Sequence, residues 1–274
     1  MSRPLRLAVL SSHPIQYNAP LFRSLDNEPE LDLRVFYCWE GTSNSVDHEF
    51  NRKITLDIPL LDGYDWMQVH NQSKDTGTHH FMGLDNPDMI SYISSWNPDV
   101  LLVYGWAWRT NRAAMRYFHK RIPVLFRGDS TLFSSQQSTW TKWLRRPVLK
   151  WGYRHIDLAL SPGIRNREYL QAMGVPNDRI KYVPHAIDIE RFSKSNRRAN
   201  QKSICARQSL GINQNSVVFL YAGKFVSRKQ VNVLIEAFAN VVSTKKEAHL
   251  LLAGDGPDHA MLVQKYRKIP NIHF

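Results

Sequence analysis

Cysteine is scarce: Cys38 and Cys205 are the two in a chain of 274 residues. Two cysteines cannot build a disulfide framework and have no zinc spacing, so a reducing compartment, the cytoplasm, is expected. Long apolar runs are missing as well. Stretches such as Val100–Tyr104 are strand-sized, far below the roughly 20 residues that span a bilayer, and no transmembrane helix is expected. The opening MSRPLRLAVLSSHP puts basic residues before an apolar run, but that run is Leu5–Leu10 with Arg6 inside it, too short for a secretory leader, and reads as a first buried strand. Acidic residues are in deficit, 24 Asp and Glu against 36 Lys and Arg, a net charge of +12. Such an excess points to acidic partners: nucleic acid, an anionic lipid surface or phosphorylated small molecules.

The 43% hydrophobic content is that of a globular protein. Short apolar segments at Leu5–Leu10, Leu31–Tyr37, Val100–Tyr104, Val124–Phe126, Leu158–Leu160, Ile180–Val183, Val217–Ala222 and His249–Ala253 read as strands. Apolar residues at helical spacing lie between several of them, at Tyr17–Leu25, Asn111–His119, Arg165–Met173 and Val231–Val242. This alternation predicts an α/β fold of two Rossmann-like domains, with parallel sheets covered by helices on both faces. Ligands in such folds sit at the carboxyl ends of strands. The polar, basic stretch Arg191–Gly211 reads as a linker running into a short helix that Gly211 ends. The division expected is a first domain over 1–190, a basic linker over 191–208, and a βαβαβ unit over 209–274. The last is shorter than the usual domain of about 100–150 residues, so a truncated second domain is expected.

Two quoted stretches carry a family resemblance. VVFLYAGKFVSRKQVNVLIEAFANV, followed by HLLLAGDGP and IPNIHF, is similar to the opening of the C-terminal domain of retaining glycosyltransferases of family 4, which have the two-domain GT-B fold. GVPNDRIKYVPHAIDIERF (174–192) resembles that family's crossing between domains. Departures are Lys224 where Arg is usual and His185-Ala186 where Asn-Gly is usual. The resemblance implies that Lys224 and Lys229 contact the donor diphosphate, and that the Gly254-Asp255-Gly256 turn lies beside the nucleotide. The family's Glu-x7-Glu motif is absent from the sequence, so the chain alone is expected to be inactive or nearly so, with weak diphosphate binding.

The residues fit the chemistry that the resemblance implies. A departing diphosphate gathers negative charge, and cations fixed there bind that charge more strongly than the ground state. Gly223 is expected to let the backbone approach closely, Lys224 follows the strand end, and Lys229 precedes the next helix and its positive dipole end. Solvated loop cations are the alternative for Lys224, Arg228 and Lys229. The pattern is not a P-loop, and no Asp-x-Asp pair suggests a metal. No metal or cofactor is therefore expected to be required; the donor that the resemblance implies is a nucleotide-diphosphate sugar.

At the first strand's carboxyl end, where the family often has a glycine-rich loop, this chain has none. His13, Gln16, Tyr17 and Asn18 crowd there as an acceptor-binding set, or else Pro14 and Pro20 simply stiffen a loop on which His13 packs. Tyr104 ends a second strand opening on the cleft. Asp129 follows a third, where the family frequently has His near the donor sugar; it is expected to contact sugar hydroxyls or to pair with Arg127. In Ser138–His155, Lys142, Arg146, Lys150 and Arg154 align at helical spacing. Trp140, Trp143, Leu144, Val148 and Trp151 form another face, with Pro147 expected to break the helix into two pieces. That pattern fits a helix on anionic lipid, or tryptophans buried against the sheet. The leading expectation is a glycosyltransferase acting with retention on a glycan or lipid-linked acceptor in surface polysaccharide or glycolipid synthesis, peripheral at the inner membrane face. A nucleotide-sugar epimerase of the same fold is the second reading. A nucleic-acid binder, resting on charge alone, has no recognition motif to support it.

Overall fold

The computed structural model describes residues 3–41, 46–47, 52–53, 58–132, 139–193 and 197–274. In chain order these form β1 (Leu5–Ser11), α1 (Ala19–Asp26), β2 (Leu31–Tyr37), a hairpin of β3 (Val46–Asp47) and β4 (Arg52–Lys53), β5 (Trp66–Gln68), α2 (Met89–Trp96), β6 (Val100–Tyr104), α3 (Arg109–Phe118) and β7 (Val124–Arg127). There follow α4 (Thr139–Tyr153), β8 (Leu158–Ser161), α5 (Ile164–Ala172), β9 (Ile180–Tyr182), α6 (Ile189–Ser193), α7 (Arg197–Ser209), β10 (Val218–Ala222), α8 (Val231–Thr244), β11 (His249–Ala253), α9 (His259–Tyr266) and β12 (Ile272–His273). Two compact units result, one from residues 3–41 and 58–188, the other from 189–274 together with the hairpin.

The first unit is a seven-stranded parallel sheet in the order β5-β2-β1-β6-β7-β8-β9. β1 lies inside the sheet, and the order runs outward from it in both directions. The point between β1 and β6 is thus a topological switch, where the loops leaving the two strands diverge and open a crevice. Successive side chains on a strand point to opposite faces, which explains the near-continuous apolar runs. Ala8, Leu10, Leu101, Val103 and Phe126 pack on one face with α2, α3 and α5, whereas Val9, Val35 and Leu102 pack on the other with Phe22 of α1. The α2 stripe Met89, Ile93, Trp96 keeps helical spacing, and Asn97 ends the helix in the left-handed region at φ 53.

The second unit is a three-stranded parallel sheet in the order β10-β11-β12. Its core is Val231, Ile235, Phe238 and Val242 of α8 against Leu250 and Leu252, with Leu262 and Tyr266 of α9. Among the described residues β10 pairs with β11 alone, and Val217, Phe219 and Leu220 stand exposed at 60%, 47% and 65%.

Three sequence expectations change. Pro147 does not divide its segment, since α4 runs through it; a proline costs one backbone hydrogen bond, which the turns on either side can carry. The basic stretch 191–208, read as a linker running into a short helix, is helical over more of its described residues than expected: it contributes to α6 and forms most of α7. It is rich in Arg, Gln and Ala, which favour helix even where no apolar stripe announces one. Elements β5 and α2 had no counterpart among the expected ones.

Candidate active site: the carboxyl ends of two sheets

In the first unit the segments flanking the switch point hold the expected acceptor residues. His13 follows β1, with Ser12 Oγ 3.0 Å from its Nδ1, its ring 5.6 Å from that of Trp39, and Gly41 pressed against it. Burial pulls the imidazole down to about 4. His13 is thus neutral near pH 7, a hydrogen-bonding group and not a cation for phosphate. Gln16 and Tyr17 are exposed, while Asn18 is buried at the start of α1, its carbonyl accepting from the Phe22 N–H at 2.9 Å.

Tyr17 and Asp129 follow β1 and β7, and Tyr104 ends β6. Partial desolvation of its hydroxyl end and then the Asp129 charge raise the Tyr17 phenol. Burial raises the Tyr104 phenol too, with Arg127 opposing and Tyr17 reinforcing. Two neutral phenols and a carboxylate near the switch point are suited to hydroxyl-rich ligands. Arg127 is buried, and its guanidinium donates to the carbonyls of Val183 and Pro184 at 2.9 and 3.0 Å. It therefore ties down the chain leaving β9.

The loops bearing these groups are held from beneath by buried amides. Asn111 of α3 donates to the carbonyls of Tyr104 and Gly105 at 2.8 and 3.1 Å, and Asn166 of α5 donates to that of Ser130 at 2.8 Å. Asn86 donates to the carbonyls of Cys38, Val69 and His70 and accepts from Thr110 Oγ1 at 3.0 Å, joining the ends of β2 and β5 to α3. Periodicity could not reveal these three asparagines, because their role depends on pairing distant in sequence.

In the second unit the loops after β10 and β11 press together. Gly223 N–H donates to the Ala253 carbonyl at 3.0 Å, Phe225 N–H to that of Asp255 at 2.8 Å, and Asp258 N–H to that of Phe225 at 3.1 Å. A Cβ on Gly254 would lie 1.9 Å from the Gly223 carbonyl oxygen, and one on Gly256 would lie 2.5 Å from that of Phe225. A Cβ on Gly223 would meet the Tyr221 hydroxyl at 3.1 Å. The close approach expected at Gly223 therefore constrains Gly254 and Gly256 far more. Asp255 Oδ1 accepts from the Gly256 N–H at 2.8 Å and lies 3.2 Å from His259 Nδ1. Lys224 is half-buried, with its carbonyl accepting from the Tyr221 hydroxyl at 3.0 Å. Lys229 is exposed in a 3-10 turn, Ser227–Lys229, ahead of α8. Both cations thus ride on the first of two loops locked together at the strand ends.

Residues 69–186 match the family model described as a glycosyl transferase 4-like domain, and residues 204–273 match that of glycosyl transferases group 1. These matches support a glycosyltransferase of GT-B fold. No curated protein matches the chain. Among solved structures, Anabaena Alr3699/HepE in complex with UDP has a TM-score of 0.65 at 14% identity, over 99% of this chain and 68% of that one. The apo form of the lipopolysaccharide outer core galactosyltransferase WaaB has 0.58 at 14%, over 98% and 67%. The UDP-GlcNAc 2-epimerase from Neisseria meningitidis bound to UDP-GlcNAc has 0.52 at 13%, over 98% and 71%. At such identities the likeness is one of fold: GT-B glycosyltransferases and epimerases share this architecture.

On Ser138–His155, Ser138 and the side chains of 139–145, including Trp140, Lys142, Trp143 and Leu144, lie outside the described residues. In the remainder of α4, Val148 and Trp151 are exposed at 51% and 48%, beside exposed Arg146, Lys150 and Arg154. No helix among the described residues is long and apolar enough to cross a membrane.

Proposed function

We propose that the chain is a retaining glycosyltransferase that moves a hexosyl group from a nucleotide-diphosphate sugar to a glycan or lipid-linked acceptor, in surface polysaccharide or glycolipid synthesis. The observation that carries the reading is the pair of locked loops at the ends of β10 and β11, with Lys224 and Lys229 on one and the Gly254–Gly256 turn on the other. That pair lies in the segment matched by glycosyl transferases group 1. Lys229 and Lys224 would hold the diphosphate and stabilise its departure, worth most as charge develops on the leaving oxygen. Gly223, Gly254, Asp255 and Gly256 would form the backbone wall beside the nucleotide. His13, Gln16, Tyr17, Asn18 and Tyr104 would line the acceptor side, with Asp129 accepting from sugar hydroxyls. Departure and attack on the same face would give retention without an enzymic nucleophile. No metal or cofactor enters this scheme, and nucleic acid is not among the proposed partners.

The experiment is calorimetric titration of UDP into the chain, because without the Glu-x7-Glu motif little or no transfer is expected from the chain alone. Lys229→Ala is expected to weaken UDP binding by about 1.5–3 kcal/mol, the range for hydrogen bonds to charged groups. Lys224→Arg is expected to keep it. Equal UDP affinity in the wild type and Lys229→Ala would sink the assignment. The epimerase neighbours favour one second reading, nucleotide-sugar epimerisation. Inversion at C2 requires the C2–H bond to break, so deuterium uptake at C2 from heavy water, without transfer, would select it.

The exposed part of α4 supports docking on anionic lipid at the cytoplasmic face. Arg146, Lys150 and Arg154 would meet headgroups while Val148 and Trp151 enter the acyl boundary.

A further inference from the structure

The loop between β5 and α2 carries a cluster outside every role given above. His79 Nε2 lies 3.0 Å and His80 Nε2 3.2 Å from the same carboxylate oxygen of Asp75, and the ligand atoms of the three residues all fall within 4.8 Å of one another. His80 Nε2 also donates to the Asp75 backbone carbonyl at 2.8 Å, a hydrogen bond and a proton it would give up to an ion. Two metal bonds of about 2.1 Å meeting at a tetrahedral angle hold their outer ends about 3.4 Å apart. Each imidazole nitrogen is therefore already near that spacing from the Asp75 oxygen. Imidazole nitrogens with one carboxylate suit zinc and its first-row neighbours, whereas magnesium and calcium prefer all-oxygen sites.

The placement is built and not accidental. Gly77 is buried, and a Cβ there would lie 2.6 Å from His79 Nδ1, so glycine at this position lets the ring take its place. Gly77 N–H donates to the Gly83 carbonyl at 3.2 Å, and Asn71 Nδ2 donates to that same carbonyl at 2.9 Å, closing the loop on itself. Trp108, from the segment after β6, donates through Nε1 to the Thr78 carbonyl at 3.2 Å. One ligand precedes Thr78 and two follow it, so the loop is pinned between them. Asp75 and His79 side chains are 72% and 61% exposed and that of His80 is 35% exposed, leaving the cluster open to an ion from solvent.

From this we infer that Asp75, His79 and His80 form a binding site for one divalent cation of the zinc class, with a fourth position left to water. The site lies at the carboxyl end of the first unit's sheet, because a loop leaving β5 emerges at that end of parallel strands. It stands independently of the sugar-transfer reading. Three protein ligands with one open position is the arrangement in which zinc keeps a bound water; here the ion would also staple Asp75 to His79 and His80.

The test uses the tag-free chain titrated with Co(II), whose visible absorption reports coordination, and then with Zn(II) in competition. One saturating equivalent with intense four-coordinate absorption is expected, displaced by zinc. Asp75→Asn and His79→Ala should each weaken binding at least about tenfold. Gly77→Ala should weaken it as well, by displacing the His79 ring while leaving all three ligands present. His249→Ala, which removes half of a separate histidine pair with His273, should leave the titration unchanged. Circular dichroism of each variant confirms that it is folded. Absence of a saturable equivalent, or one that Asp75→Asn and His79→Ala do not alter, overturns the site.

Discussion

His13 shows how a single side chain turns position into a measurable property. An unfolded histidine takes up its proton near pH 6.5, whereas burial delays this in the folded chain until about 4. On acidification through that window the unfolded state binds more protons, so stability present above pH 6.5 is lost as pH falls toward 4. Urea midpoints measured at pH 7.5 and 5 should drop for the wild type and drop less for His13→Gln. Equal drops would rule out His13 as a source. Two glycines allow a second residue-scale comparison. Gly254→Ala forces a Cβ against a backbone carbonyl, at an expected cost near the upper end of about 1–3 kcal/mol for overpacking. Gly223→Ala meets only the Tyr221 hydroxyl, at the far end of a side chain, and should cost less. The reverse order in thermal melts would contradict the locked-loop geometry. At this scale the sequence was legible where chemistry is local. That Lys224, Lys229 and the Gly254–Gly256 turn sit on loops could be read from their place after apolar runs, while the roles assigned to them came from the family resemblance. Asn86, Asn111 and Asn166 could not be, since each closes a contact between segments far apart in the chain. Asp75, His79 and His80 were passed over because Asp-x3-His-His has none of the usual metal-ligand spacings.

Elements with strong periodicity were read almost to their ends: β2, β6 and β11 have the expected bounds. Failures came where local signals conflict. α2 hides its stripe of Met89, Ile93 and Trp96 among serines and a tyrosine, and β5 is too short for alternation to show. α4 contains a proline yet stays helical. Pro147→Ala should restore the missing backbone hydrogen bond and stabilise the helix, by at most about 3 kcal/mol. Hydrogen exchange along 143–151 should slow, and unchanged exchange would show that Pro147 costs the helix nothing. The exposed face of α4 predicts flotation with phosphatidylserine vesicles and not with phosphatidylcholine alone, weakened by salt and by Trp151→Ala. Binding indifferent to lipid charge would remove the electrostatic part of the docking proposal.

At the scale of the whole molecule each unit has its own core, so damage should stay local. Ile235 is fully buried among Val231, Phe238 and Leu250. Ile235→Ala should cost about 2–5 kcal/mol and release amide protection in β10 and β11 while β1 and β6 keep theirs. Loss of protection in both units together would show that they unfold as one. The strand alternation made the α/β class and the parallel sheets legible, because both faces of each sheet must be covered. The order of strands, with its switch point between β1 and β6, came only from pairing.

β10 exposes Phe219 and Leu220 on a strand with one described neighbour, which has a practical consequence for handling the protein. An open, apolar strand edge is a template for joining another molecule, and what opposes such joining here is the mutual repulsion of chains carrying +12. Salt screens that repulsion within about 8 Å at physiological strength. Colloidal stability should therefore be greatest in dilute buffer, and light scattering should climb with added salt.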